Sequence, residues 1–130
     1  MKGSEPMHVI TPTDDNVIAT AAAEMTGLAS PSRGSTELST WKVGIEPDTA
    51  GPKHVIDREQ VWTVTAGALE VVAEGRTEQV REGQTLVVPA GVLRVFRTTD
   101  QAAEALVAMA VGGRAFLPGD DTGQPVPWAQ

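Results

Sequence analysis

Gly83-Gln-Thr-Leu-Val-Val-Pro89-Ala-Gly91-Val-Leu-Arg94 is the stretch that decides the fold. Leu86 to Val88 is a short apolar run that stops at Pro89, a residue that ends a strand where no ladder donor is needed. Gly91 turns the chain into Val92–Arg97, where alternation puts Val92, Arg94 and Phe96 on one face. Upstream lies His54-Val-Ile-Asp-Arg-Glu-Gln60-Val-Trp-Thr-Val-Thr-Ala-Gly67. Its β-branched run Val61–Thr65 surrounds Trp62, and Ala66-Gly67 predicts a tight hairpin into a second arm, Ala68–Ala73. Further out, Leu38–Ile45 alternates with Ser39, Trp41, Val43 and Ile45 on one face, Thr77–Val80 reads as a polar edge strand, and Ala105–Val111 reads as the last strand. Turn signals punctuate these runs at Pro47-Asp48, Gly51-Pro52, Glu74-Gly75 and Glu82-Gly83. Many short strands with recurring turns predict an all-β sandwich or barrel. Two stretches stand apart. Thr13-Asp14-Asp15 followed by Ile18, Ala22 and Met25 at helical spacing suggests one short N-terminal helix, with an early strand from Met25 to Ser30. The tail after Phe116 is turn-rich and reads as irregular, pinned to the body by Trp128.

The chain has 130 residues, the size of one ordinary domain, so the reading is a single domain with its core at about 38–111. Residues 1–6 read as a leader before a natural start at Met7. There is no cysteine, which removes disulfides, thiolate metal sites and cysteine nucleophiles, and which fits a cytoplasmic, reducing setting. The net charge of −7 opposes binding to nucleic acid or anionic membranes. No segment reaches the ~20 apolar residues of a membrane span. No G-x-G-x-x-G or P-loop pattern supports nucleotide binding, and Gly112-Gly113 alone is no phosphate loop. Asp120-Asp121 lies in a turn with no Ca²⁺-loop pattern around it.

Together the two quoted segments resemble the signature motifs of the cupin superfamily, H-x-H-x3–4-E-x6-G and G-x5-P-x-G-x2-H. Gly83, Pro89 and Gly91 keep the second motif's spacing, Gly67 keeps the first motif's glycine, and 15 residues separate Gly67 from Gly83. The resemblance implies a small single-domain cupin, a double-stranded β-helix (jelly-roll barrel) with divergent metal-ligand positions. It also implies a bacterial metabolic protein that pairs as a homodimer. The family's ligand positions fall on His54, Ile56, Gln60 and Arg94. Isoleucine cannot ligate, glutamine offers one weak neutral oxygen, and a guanidinium repels a cation. No metal and no cofactor is therefore expected; the open alternative is a divalent metal on His54 and Gln60 with waters.

The inward set implied by alternation and the resemblance is Trp41, Val43, His54, Ile56, Gln60, Trp62, Val64, Val92, Arg94 and Phe96. This describes a ligand pocket with an aromatic lining of Trp41, Trp62 and Phe96 and three converging polar groups. Arg94 facing inward needs a ligand anion, because the sequence places few carboxylates beside it. His54 is the candidate acid/base. Four readings stay open. One is a metal-independent isomerase, cyclase or dehydratase acting on an oxygenated organic anion. The others are a non-catalytic binding or sensing module, a metal-dependent enzyme with an altered ligand set, and a barrel filled by its own aromatic side chains. The expected partner is an anionic or aromatic small molecule.

Overall fold

The alternating runs are realised as strands. The structure, a computed structural model, describes residues 6–130, so the leader expected at 1–6 lies, apart from Pro6, outside the described residues. Among the described residues eleven strands follow in order: β1 (Val17–Ala19), β2 (Glu24–Gly27), β3 (Leu38–Ile45), β4 (Val55–Ile56), β5 (Gln60–Ala73), β6 (Arg76–Arg81), β7 (Thr85–Val88), β8 (Arg94–Arg97), β9 (Ala103–Ala110), β10 (Arg114–Phe116) and β11 (Gln124–Pro125). All pairings among them are antiparallel.

The long strand β5 organises the barrel. Its first half, Gln60–Gly67, lies between β9 and β7 and continues a sheet that runs β1-β2-β3-β9. Its second half, Ala68–Ala73, lies between β6 and β8 in the opposing layer. The segment 50–54 runs beside β8 through bridges Ala50–Arg97 and His54–Arg94, and β4 then joins β10 and β11. The hairpin expected at Ala66-Gly67 is therefore not a hairpin: the strand continues through both residues. A bulge between Val64 and Ala66 and a positive φ of 72° at Gly67 bend it from one sheet into the other. A Cβ at Gly67 would sit 1.8 Å from the carbonyl oxygen of Ala102, so only glycine fits.

The expected N-terminal helix is also corrected. Asp14–Asn16 form a single 3-10 turn whose Asn16 side-chain oxygen accepts the backbone N–H of Thr13, and the chain then enters the hairpin β1–β2. The helical spacing of Ile18, Ala22 and Met25 loses to strand pairing, because Met25 reaches the core only by adding β2 to β3. The tail ends in another 3-10 turn, Pro127–Ala129. Ala129 and Val126 are buried and Trp128 is half-buried; Ser39 Oγ donates to the Ala129 carbonyl at 2.7 Å.

The inner faces make one core. Ser39, Trp41, Val43 and Ile45 of β3 are buried as their alternation predicts, opposite Ala103, Ala105, Val107 and Met109 of β9. Each large apolar side chain buried there contributes roughly 1.5–3 kcal/mol. No helix among the described residues is long and apolar enough to cross a membrane.

Candidate functional site

Cross-strand register brings the predicted residues together. His54 and Arg94 exchange both backbone hydrogen bonds, at 3.1 and 3.0 Å, so their side chains leave the same face as neighbours. Gln60 and Trp62 of β5 and Phe96 of β8 face the same interior, where the Trp62 and Phe96 rings stack with centroids 4.0 Å apart. Trp41 and Ile56 are buried beside them in the same core cluster. Of the seven predicted site residues, six are under 9% exposed and only His54 is half-buried, at the barrel's mouth.

Arg94 is the outstanding group. Its side chain is 1% exposed, yet it forms no ion pair among the described residues, where the ion pairs are Arg58–Asp57, Arg76–Glu78 and Arg97–Glu70. Nη1 donates to the Val92 carbonyl at 2.8 Å and Nη2 to Gln60 Oε1 at 3.0 Å. These use two of the guanidinium's five N–H donors, and Nε is buried without a partner. Burial lowers its pKa to about 10, so the charge persists at neutral pH.

Gln60 is engaged with this cation. Trp62 Nε1 also donates to Gln60 Oε1, at 3.1 Å. Two obligatory donors converge on one atom, which identifies it as the carboxamide oxygen and occupies both its lone pairs. The amide nitrogen points at Met109 Sδ, 3.5 Å away. Met109 is a site neighbour that sequence reasoning missed; the alternation of β9, with Ala105, Val107 and Met109 inward, carried the signal.

His54 is poised differently. Its Nδ1 lies 2.9 Å from the Pro52 carbonyl oxygen, which can only accept, so Nδ1 carries the proton and Nε2 keeps its lone pair. Burial, with a smaller contribution from the Arg94 charge, lowers its pKa below the usual value and outweighs the Pro52 hydrogen bond. The imidazole is therefore neutral at neutral pH, with a basic nitrogen beside a buried cation.

A metal does not fit this set. Ile56 is apolar, Gln60 Oε1 is already saturated, and Arg94 places a positive charge where a third ligand belongs. No group of three His, Cys, Asp or Glu residues able to hold a metal occurs among the described residues. Asp57 accepts the backbone N–H of Arg114 at 2.7 Å, His8 bonds the Arg33 carbonyl at 2.9 Å, and Glu59 is exposed whereas Gln60 beside it is buried.

Comparison with known proteins agrees with this architecture. The family profile described as "Cupin domain" matches residues 41–110. No curated protein sequence matches the chain significantly. Among solved structures, the polyketide cyclase RemF from Streptomyces resistomycificus superposes with a TM-score of 0.66 at 20% identity, over 83% of this chain and 80% of that one. The DMSP lyase DddQ from Ruegeria pomeroyi DSS-3 gives 0.68 at 20% identity, over 86% of this chain and 62% of that one. KdgF from Halomonas sp. gives 0.66 at 16% identity, over 79% and 94%. Likeness at such identities is likeness of fold.

Proposed function

Because the chain belongs to the cupin family, we propose that its barrel binds a small oxygenated organic anion at Arg94 and moves a proton on it with His54, without a metal. The observation that carries this reading is the guanidinium, 1% exposed, with no counter-charge among the described residues and its Nε unpartnered. A cation left in that state is costly unless a ligand anion meets it. A carboxylate or an enolate oxygen matches the remaining donors.

The chemistry follows from the pair. The Nε2 lone pair of neutral His54 takes a proton from a carbon next to a carbonyl. The C–H electron pair moves into the carbonyl, and the oxygen gains a negative charge that Arg94 stabilises. The imidazolium then returns the proton to another carbon, which isomerises the substrate; or the enolate carbon attacks a second carbonyl of the same molecule and the proton goes to that carbonyl's oxygen, which closes a ring; or the proton goes to a departing hydroxyl as the enolate collapses to an alkene, which dehydrates it. No electrons leave the substrate, so no oxidant is needed. Gln60 and Trp62 hold the guanidinium in place. A cyclase and a lyase among the structural neighbours are compatible with this class of step.

A binding module without chemistry draws support from the near-complete burial of Arg94, Gln60 and Trp62. One experiment separates the two. Oxygenated organic acids are screened by thermal shift, and those that bind are incubated with the protein in D2O and followed by NMR. The proposal expects binding that is lost in Arg94→Met, and deuterium incorporation that is lost in His54→Gln. Binding without incorporation leaves the binding module, and stabilisation that persists in Arg94→Met overturns the anion site.

A further inference from the structure

The barrel is open along one side. Among the described residues strand β6 pairs only with β5, and so does β7, and residues of both strands line the gap between the two layers. A groove of about 530 Å³ lies there, a volume within the range of small-molecule sites. Its lining includes Val71, Val80, Leu86, Val88 and Val92, all apolar, with Glu74, Arg76 and Glu78 around them.

This groove shares its walls with the site. Val88 is the cross-strand partner of Gln60, Leu86 of Trp62, Ala73 of Arg94 and Val71 of Phe96. Directly opposed residues in an antiparallel pair point to the same face. The floor of the groove and the lining of the site are therefore one continuous inner surface. The carbonyl of Val92, a groove residue, is also the atom to which Arg94 Nη1 donates. The groove and the guanidinium lie at the same end of the barrel, where the β5–β6 and β7–β8 turns meet.

We infer that the groove between β6 and β7 receives the apolar body of the ligand whose anionic head meets Arg94, which makes the substrate class amphipathic organic acids rather than small hydrophilic ones. This rests on the anion site proposed above. Two features select the occupant. The charge that needs neutralising is one buried cation, and the groove residues paired across the strands with the site, Val71, Ala73, Leu86 and Val88, are aliphatic, while Gln79, Gln84 and Thr85 add polar surface to the same groove. A purely polar acid would leave that surface wet, whereas each methylene placed on it adds hydrophobic free energy. Glu78 at the rim is paired with Arg76, which leaves the charge of Glu74 to disfavour a second anionic group at the far end of the ligand.

The test is calorimetric titration of the full chain with straight-chain monocarboxylates from acetate to decanoate. The inference expects affinity to rise about fourfold per added methylene until the groove is filled. Leu86→Gln keeps the side chain long but makes the floor polar, and flattens that dependence. Glu78→Leu, a change at an exposed rim position, steepens it, and serves if Leu86→Gln does not fold. Acids that bind with no dependence on length, yet lose binding in Arg94→Met, overturn the groove and leave the anion site standing. A length dependence that neither variant alters assigns the apolar contact elsewhere and also overturns the groove. Failure of every acid to bind overturns both.

Discussion

Replacing Arg94 by methionine sets stability against binding. The substitution removes two charge-assisted hydrogen bonds, to Val92 O and Gln60 Oε1. Gln60 Oε1 keeps the Trp62 N–H, so only the Val92 carbonyl loses a partner. Such bonds contribute about 1.5–3 kcal/mol each. Against them stands the cost of holding an uncompensated cation out of water, several kcal/mol after relaxation. Buried charges replaced by apolar side chains of similar volume are often neutral or stabilising by about 1–4 kcal/mol. Arg94→Met is therefore expected to melt at the wild-type temperature or up to roughly 10 °C above it, measured by scanning calorimetry. Its affinity for a carboxylate probe such as benzoate falls roughly 30-fold to several thousand-fold, the loss that follows removal of one member of a buried charge pair. A function that costs stability is the signature of a binding charge. A fall in melting temperature of 10 °C or more refutes the reasoning, since it makes Arg94 a structural residue satisfied within the fold.

His54→Gln lowers solvent exchange on a bound acid by about 10²-fold or more while the fold survives. In the wild type the acidic limb of the rate profile lies below pH 6.5, because the lowered pKa keeps the imidazole basic there. Folding favours the neutral ring, so its contribution to stability is complete above pH 6.5 and is lost as pH falls through the folded pKa beneath it. Melts of wild type and His54→Gln between pH 7 and 4 show that difference or refute it. Elemental analysis of the protein purified without chelators finds metal well below one atom per chain, whereas Ile56→His with Gln60→Glu and Arg94→His restores near-stoichiometric divalent metal. A folded triple variant that stays empty contradicts the assignment of the four positions. Gly67→Ala and Gly75→Ala carry the same φ of 72°, but a Cβ meets a backbone oxygen at 67 and nothing at 75. Urea melts should place the first at least about 2 kcal/mol below the second.

The inner faces of β3 and β8 were legible because a period of two is written directly in their residues. Gly67 shows where that reading stops. The need for a glycine was visible, but a tight turn and a bend between sheets ask for the same residue, and only the close approach of Ala102 distinguishes them. The stretch Thr13–Met25 failed for a related reason, since its helical spacing was weak beside the pairing that β3 offered. In the site, alternation and the cupin resemblance together placed Arg94 inward. Its hydrogen bonds run to Gln60 Oε1, 34 positions away in the chain, and back to the Val92 carbonyl, and no sequence pattern encodes them. The groove was illegible because it exists only where two strands of different layers line one gap.

The titration of His54 itself tests the central claim most directly. The chain has two histidines, His8 and His54, so proton NMR of wild type and His8→Gln assigns the imidazole signals without ambiguity. In the free protein His54 should titrate below 6.5. A saturating organic acid that neutralises Arg94 removes part of what lowers it, so the His54 pKa rises on binding, and Arg94→Met abolishes that ligand-induced rise. A bound acid that leaves the His54 titration untouched, or a divalent metal that displaces its proton stoichiometrically in the wild type, contradicts a metal-independent anion site built on His54 and Arg94.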